Sequence, residues 1–235
     1  MNVLAIGCHP DDIEINCAGT LAKCVKRGDT VTVAHVANGN LGHEIITPEE
    51  LRVIRANEAK TAGKMAGINV ISLDIGDCLV FDSSKEQKDK VVELIRNTDP
   101  DFIITHAPND YMPDHVHVSR LVFDASFLAS VPHYEPTIGA KPAKVTPIFY
   151  MDNLGGVDFV PTEYVDVTEE IDLKLEMLEC HESQLKWMRD HDNIDFADFV
   201  KTCAKYRGLQ CNSQYAEGFR QCLVYPKILP KRMLP

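Results

Sequence analysis

Histidine and aspartate residues are concentrated in two short segments of this chain. The first is GCHPDDIE, residues 7–14, and the second is HAPNDYMPDHVH, residues 106–117. Imidazole nitrogens and carboxylate oxygens are donors that Zn²⁺ accepts, and three protein ligands with an open fourth position are typical of a catalytic zinc site. The two segments therefore indicate metal-dependent chemistry, provided that the fold brings them together.

The spacing within the first segment separates its carboxylates into two roles. If a helix starts near Asp12, His9 and Asp12 can point into one space, while Asp11 projects elsewhere and stays free of the metal. His115, at the start of a later predicted helix, could complete a set of two nitrogens and one oxygen. Asp11 is then placed to take a proton from attacking water and to pass it to a departing amine. Each element alone is weak, because Asp pairs often cap helices and a lone loop histidine is usually polar surface.

The elements that must position these residues alternate along the first 130 residues. Short apolar runs and longer helix-patterned segments predict an α/β fold, a Rossmann-like three-layer sandwich with a mostly parallel sheet and helices on both faces. Ligands bind beyond the carboxyl ends of strands in such sheets, and both segments directly follow an apolar run. The predicted strands are Val3–Gly7, Thr30–Ala37, Val70–Ile75, Phe102–Thr105 and Ile148–Met151.

One predicted helix, within TPEELRVIRANEAKTAGKMAG, has clear boundary signals. Thr47 is a good N-cap, Pro48 suits the first helical position, Glu50 completes a capping box and Gly67 can end the helix. A Pro-rich crossing precedes the C-terminal part and contains Pro132, Pro136, Pro142 and Pro147. The other helices are expected from near Asp12 to before Gly28, from near Ser84 to Thr98, and over Asp114–Ala129, Ile171–Met188 and Phe196–Tyr206.

Composition restricts the class of protein. The 235 residues, 45% hydrophobic, suit a single domain over residues 1–235. A net charge of −11 without a basic run argues against a nucleic-acid partner. No apolar stretch approaches the ~20 residues that cross a bilayer, and the N-terminus turns polar too early for a secretory signal. Eight cysteines without a CxxC pair suggest reduced thiols, so we expect a soluble cytoplasmic protein.

The segment GCHPDDIEINCAGTL resembles the HPDD signature of the PIG-L/LmbE family of zinc-dependent N-acetylglucosaminyl deacetylases, and PNDYMPDH resembles its second metal motif. VANGNLG, the RxxE helix around Arg55, LKLEMLECHESQ and YAEGF are similar to further family segments, so the resemblance covers most of the chain. It implies that His9, Asp12 and His115 bind Zn²⁺, with another divalent metal such as Fe²⁺ as an alternative. It also implies that Asp11 is the general base and that Arg55 holds substrate or developing negative charge.

The chain departs from the family pattern at Met112. The family usually has a histidine there, three residues before the last metal ligand, and a thioether cannot donate a hydrogen bond. Losing one oxyanion donor costs other hydrolases on the order of 10² to 10³ in rate. We favour Tyr111 or Arg55 as the replacement donor; the other candidates are His106, His117 and His43.

Further substrate contacts are predicted at Asn38, after the second strand, at Asp110 and at Met112. Ordinary roles stay open beside these functional ones. Asn38 could be a turn residue, and Arg55 could form a surface ion pair with Glu58 on one helix face. Asp110 and Asp114 could instead orient a ligand imidazole. Asp114 could also be merely a helix cap. His181 and Glu217 could close over the substrate, or they could be solvated helix positions without a role.

Three hypotheses for function follow. The leading hypothesis is a zinc-dependent N-deacetylase acting on an N-acetylglucosamine-type sugar or its conjugate. The second is a zinc-containing sugar-binding or attenuated homologue, motivated by Met112. The third is a nucleotide-dependent oxidoreductase or transferase, against which the absence of a GxGxxG segment after the first strand argues. The resemblance also suggests a homo-oligomer, whereas the loop residues do not select one N-acetylated substrate.

Overall fold

The computed structural model describes residues 1–134, 141–228, 230 and 232–235; Pro136 of the Pro-rich crossing lies outside them. Within this part of the chain, seven strands form one mixed sheet. They are β1 (Asn2–Gly7), β2 (Thr30–Ala37), β3 (Asn69–Ile75), β4 (Phe102–Thr105), β5 (Ile148–Met151), β6 (Glu163–Asp166) and β7 (Ala216–Gln221). The five strands predicted from the sequence are confirmed, whereas β6 and β7 were missed because their sequences, EYVD and AEGFRQ, contain no apolar run.

The strand order is β3-β2-β1-β4-β5-β7-β6. The first five strands in this order pair in parallel, and β7 pairs antiparallel with both β5 and β6. The chain therefore adds β2 and β3 on one side of β1, and then crosses back to add β4 and the later strands on the other side. This reversal places a crevice at the carboxyl ends of β1 and β4, where open α/β sheets bind ligands.

Helices cover both faces of the sheet, as the predicted three-layer sandwich requires. The helices are α1 (Asp12–Asn16), α2 (Ala18–Lys26), α3 (Pro48–Met65), α4 (Lys85–Thr98), α5 (Pro113–Leu128), α6 (Ile171–Glu179), α7 (Glu182–Asp192) and α8 (Phe196–Cys211). One face of the sheet packs on α4 and α5 through Leu4 and Ile6 of β1, and the other packs on α1, α2, α3 and α6 through Val3 and Ala5. The alternation along β1 reflects the two-residue period of a strand.

Local capping explains where α3 begins. The Thr47 hydroxyl accepts a hydrogen bond from the Glu50 amide, and the Glu50 carboxylate accepts one from the Thr47 amide, which confirms the capping box. Pro48 occupies the first turn. Because this helix carries Arg55, its fixed start determines which residue faces the sheet edge.

Two segments that we predicted as continuous helices are broken, and a carboxylate from elsewhere in the chain accepts backbone hydrogen bonds at the start of the helix that follows each break. Between α1 and α2 the chain turns at Cys17, because the amides of Gly19 and Thr20 donate to the carboxylate of Glu217 at 3.0 and 2.7 Å. Between α6 and α7, the Ser183 amide donates to Glu58 at 2.8 Å. Sequence periodicity misses such breaks because the capping group is distant in sequence.

No helix in the described part of the chain has both the length and the apolar character needed to cross a bilayer.

Candidate metal centre

The two histidine-rich segments meet at the crevice between β1 and β4. His9 follows β1, His106 follows β4, and His115 lies in the first turn of α5. All three rings surround the buried carboxylate of Asp12, at distances of 3.3 Å from Oδ1 to His115 Nε2, 3.2 Å from Oδ2 to His106 Nε2 and 3.7 Å from Oδ2 to His9 Nδ1. The structure thus brings together the three predicted ligands and adds a fourth group, His106.

Carboxylates orient two of these rings from outside. His9 Nε2 lies 3.3 Å from Asp114 Oδ2, and His115 Nδ1 lies 3.2 Å from Asp110 Oδ1. Each contact engages the outer nitrogen and leaves the inner nitrogen facing Asp12. Metal-binding histidines are commonly held in this way by a carboxylate on the second ring nitrogen. Asp110 and Asp114 therefore contact the imidazoles of two predicted metal ligands.

The helix-cap alternative for Asp114 is wrong. Met112 is the N-cap residue of α5 and makes no side-chain cap bond, while Asp114 lies within the first turn. The Asp114 carboxylate instead accepts a hydrogen bond from the Cys78 amide at 2.8 Å, in addition to its contact with His9. This second bond ties the loop after β3 to the histidine cluster.

His106 is the residue that sequence reasoning underused, since we considered it only as an oxyanion donor. Its Nε2 accepts a hydrogen bond from the Cys8 amide at 2.9 Å, and its ring stacks on His115 with centroids 4.0 Å apart. The structure contains two groups of donor atoms that are close enough to share an ion. One group is Cys8, His9 and Asp12, and the other is Asp12, His106 and His115. The sequence does contain a signal for a role of His106 in this cluster, because His106 directly follows β4 just as His9 closely follows β1.

The electrostatics of the cluster suit a cation. Burial alone would raise the pKa of Asp12, but His115 and His106 hold it well below its ordinary value. Burial opposes protonation of His115, yet Asp12 and Asp110 raise its pKa to about 9. Both His115 nitrogens are buried without a well-formed hydrogen bond. An environment that attracts protons to an imidazole also attracts a divalent ion, so the donor set fits a metal.

Asp11 lies beside this cluster and outside both groups of donors that could share an ion. Its backbone adopts φ 120°, a region that L-residues rarely occupy and that costs on the order of 1–3 kcal/mol. Its carboxylate lies 3.1 Å from Arg55 Nη2, and Arg55 also donates to the carbonyls of Gly39 and Pro10. Burial raises the pKa of Asp11 to about 6 against the opposing effect of Arg55.

An open cleft of about 340 Å³ gives access to these groups. His9, Asp11, Asp12 and His115 line it, together with other residues that include Arg55, Tyr111 and Met112. Tyr111 is 62% exposed, and its ring centroid lies 5.9 Å from that of His115. Partial burial, with Asp12 and Asp110 nearby, raises the pKa of the phenol to about 12, so it stays a hydrogen-bond donor.

Two predicted substrate contacts lie outside the lining of this cleft. Asn38 donates to Asp74 at 3.0 Å and lines a separate groove beside α3. Asp110 faces His115 and also accepts from the Met112 amide at 3.1 Å. Substrate binding by Asn38 or Asp110 stays a prediction.

Two other histidines considered as oxyanion donors are occupied elsewhere. His117 Nδ1 lies 2.7 Å from Asp82, and His43 Nδ1 accepts from the amides of Ile45 and Ile46. Neither ring lines the cleft. Tyr111 and Arg55, the two donors that we favoured, both do.

Several ordinary interpretations from the sequence are wrong. Arg55 is buried against Asp11 rather than paired with Glu58 on the surface, and Glu58 instead binds Ser183. His181 and Glu217 are buried rather than solvated. His181 Nε2 lies 3.4 Å from Oε2 of Glu14, which is three residues after Asp11 in the sequence. Glu217 Oε1 lies 2.5 Å from Lys174 Nζ.

This chain is similar to named deacetylases over most of its length. The chain is 28% identical over 228 residues to the diacetylchitobiose deacetylase of Thermococcus kodakarensis, covering 93% of this chain and 82% of that protein. A solved structure of N,N'-diacetylchitobiose deacetylase from Pyrococcus horikoshii superposes with a TM-score of 0.82 at 26% identity, with 93% and 82% of the two chains covered.

The same fold also carries a different named activity. The 4-carboxy-2-hydroxymuconate hydratase of Pseudomonas putida KT2440 superposes with a TM-score of 0.83 at 22% identity, covering 99% of this chain and 100% of that one. At this identity the likeness shows the fold alone, since one fold hosts unrelated chemistries. Residues 4–126, which include both histidine-rich segments, match the PIG-L family, described as GlcNAc-PI de-N-acetylase. The chain therefore belongs to the PIG-L family.

Proposed function

We propose that this protein is a metal-dependent amide hydrolase that removes the N-acetyl group from an N-acetylglucosamine-type sugar or glycoconjugate. One observation carries the proposal. Asp12 is surrounded by imidazoles, two of which are oriented by outer carboxylates, while the separate carboxylate of Asp11 opens into the same cleft. Relatives with named activities on acetylated sugars support the substrate class.

The metal would be held by His9, Asp12 and His115, while His106, whose Nε2 accepts the hydrogen bond of the Cys8 amide, packs beside Asp12 and His115. When bound, Zn²⁺ or another divalent ion such as Fe²⁺ lowers the pKa of water and polarises the acetamide carbonyl. The inner nitrogens of His9 and His115 face Asp12, which supports this assignment.

Asp11 supplies the proton transfers. With a pKa of about 6 it is ionised at neutral pH, so it can accept the proton of the attacking water. It then delivers that proton to the nitrogen as the carbon–nitrogen bond breaks, which yields acetate and the free amine. Arg55 holds the carboxylate in place and compensates its charge while it is buried.

The developing oxyanion needs a donor, and Tyr111 is the group we assign to it. The phenol stays protonated at neutral pH and opens into the cleft, whereas the thioether of neighbouring Met112 cannot donate. Arg55 is less suitable because its guanidinium is engaged by Asp11 and two carbonyls.

Met112 also motivates a second candidate, a protein that binds an acetylated sugar with attenuated turnover. Met112 lines the cleft at the position where the family pattern has histidine. In that case Met112→His raises the rate strongly, whereas an unchanged rate argues against the second candidate.

We further propose that residues 1–235 form a single domain, because the sheet joins strands from both halves of the chain. A cytoplasmic location and a homo-oligomeric state stay predictions.

The experiment is acetate release from a panel of N-acetylated sugars and glycosides by zinc-loaded protein. Chelator-treated protein and Asp11→Asn should both lose activity, the variant by about 10² or more. Asp158→Asn is the matched control, because Asp158 also has a positive φ, 57°, but is exposed and away from the cleft. No release from any panel member by protein with stoichiometric zinc would overturn the proposal.

A further inference from the structure

The charged side chains and histidines that line the cleft are all buried, and we call this part of the lining its inner end. Arg55 is the one lysine or arginine among the described residues that line it, and its guanidinium is taken up by Asp11 and backbone carbonyls. Carboxylates are present there as well, including Asp77 and Asp114. A negatively charged group entering the cleft would therefore meet carboxylates and no free cationic side chain.

Another part of the lining is apolar, and most of its residues are more exposed than the charged groups. It is formed by side chains from the loop after β2, the short helix at residues 154–156, α7 and α8. We call it the apolar wall, and it consists of Leu41, Leu154, Trp187, Met188 and Phe196.

Contacts behind the apolar wall hold it in position. Asp77 accepts hydrogen bonds from the Gly39 and Leu41 amides at 2.8 and 3.0 Å, which fixes the loop that carries Leu41. On the other side, the Glu58 carboxylate accepts hydrogen bonds from both the amide and the hydroxyl of Ser183 at the start of α7. Leu154 and Met188 pack against the buried cluster that contains Phe196. The wall is thus held in place by tertiary contacts rather than being a chance exposure of apolar residues.

Resting on the proposed function, we propose that the apolar wall is a subsite for the group attached to the acetylated sugar, and that it selects uncharged substituents with an apolar face. The acetamide lies at the charged inner end, so the remainder of the substrate extends toward the wall. Contact with its apolar side chains is favourable for ligands that bury C–H surface. The face of a second neutral sugar ring and an aromatic aglycone both offer such surface. A phosphate or carboxylate substituent would be desolvated there without a cationic side chain to pair with it.

Trp187 makes this inference directly measurable, because it is the single tryptophan of the chain and lies in the wall. Its fluorescence reports ligand binding without any need for turnover. The probes are N-acetylglucosamine, diacetylchitobiose, benzyl N-acetyl-β-glucosaminide and N-acetylglucosamine 1-phosphate, titrated into the zinc-loaded protein. We expect the two neutral glycosides to bind about tenfold or more tightly than the free sugar. The phosphate should bind no more tightly than the free sugar.

The two neutral probes distinguish the sources of apolar surface, since one presents a sugar face and the other an aromatic ring. Preference for either supports the subsite, whereas equal affinity for all four probes, or tighter binding of the phosphate, overturns it.

A charge placed in the wall tests the assignment. Leu41→Asp should reduce the affinity for the neutral glycosides to that of the free sugar, while the affinity for the free sugar changes less than about twofold. Leu41 is 54% exposed, so the variant is expected to fold. Leu209→Asp is the matched control, since Leu209 is 75% exposed on α8 and does not line the cleft.

Acetate release from the same probes separates the two levels of the proposal. Release without a preference among neutral and charged probes contradicts the subsite alone. A binding preference without any release contradicts the proposed deacetylation alone.

Discussion

Arg55 and Asp11 form an ion pair, 3.1 Å from Nη2 to Oδ1, in which both side chains are buried. The guanidinium also donates to the carbonyls of Pro10 and Gly39, so it joins α3 to the loops after β1 and β2. Asp11 is in turn held in a backbone conformation with positive φ. This one side chain therefore supports the backbone on both sides of the cleft and the proposed base.

Removing the cation of this pair should destabilise the fold. Arg55→Met leaves the buried Asp11 carboxylate without its partner, which typically costs about 3–5 kcal/mol. Urea unfolding monitored by circular dichroism measures the loss. The double variant Arg55→Met/Asp11→Asn should recover part of it, because no carboxylate is then left unpaired. If the double variant is as unstable as the sum of both single variants, the ion pair is not the cause.

Gly39 should not tolerate a side chain. Its φ is +75°, and a Cβ built there would lie 2.6 Å from Nη1 of Arg55. Gly28→Ala is a matched control, because Gly28 has φ +90° with open space around it. We expect Gly28→Ala to cost about 1 kcal/mol from the backbone alone. Gly39→Ala should cost more in the same unfolding measurement and should also lower acetate release. Equal effects of the two variants would contradict the close packing of Arg55.

The carboxylates outside the histidine cluster should tune the affinity for metal. Asp110→Asn and Asp114→Asn remove the charged partners of His115 and His9, and such changes typically weaken metal binding about 10- to 100-fold. Zinc titration against a chromogenic chelator measures the change. Asp82→Asn serves as the control, because Asp82 pairs with His117, which does not line the cleft. Unaltered zinc affinity in both test variants would show that the ion binds elsewhere.

The oxyanion assignment predicts an interplay between Tyr111 and Met112. Tyr111→Phe removes the phenolic donor and should lower kcat by about 10²-fold, with little change in metal content. Adding Met112→His to this variant should restore a substantial part of the rate, because it supplies a donor to the same cleft. A Tyr111→Phe enzyme that keeps its full rate would leave the phenol without the proposed role.

Buried His35 should make the fold sensitive to acid. Burial lowers its pKa to about 4, from an ordinary value of about 6.5. Between about pH 6.5 and pH 4, His35 binds a proton in the unfolded chain but not in the folded chain. The free energy of unfolding therefore falls as the pH decreases toward 4. The contribution lost between about pH 7 and pH 5 is on the order of 2 kcal/mol.

The variant His35→Gln should reduce this difference. Urea midpoints at the two pH values, for the natural protein and the variant, provide the test. An identical pH dependence in both would exclude His35 as the origin, because its neighbours Glu14 and His181 titrate in both proteins.

Much of the fold was predictable because its determinants are local. The buried strands are continuous apolar runs, and the start of α3 is set by Thr47, Pro48 and Glu50 within four residues of one another. The same locality placed His9 and Asp12 after a strand and His115 at a helix start. Parallel pairing of β1 and β4 then brings the two segments to one sheet edge.

What the sequence by itself determined was therefore the five parallel strands, the edge at their carboxyl ends and the residue types at that edge. Only the tertiary structure decided the partners of those residues. The contacts of Arg55 with Asp11, Glu58 with Ser183 and His106 with Asp12 join residues that are 44, 125 and 94 positions apart. Buried charged groups must find partners, and the chain path selects which partners are within reach. Periodicity and spacing carry local conformation, whereas these pairings depend on three-dimensional proximity.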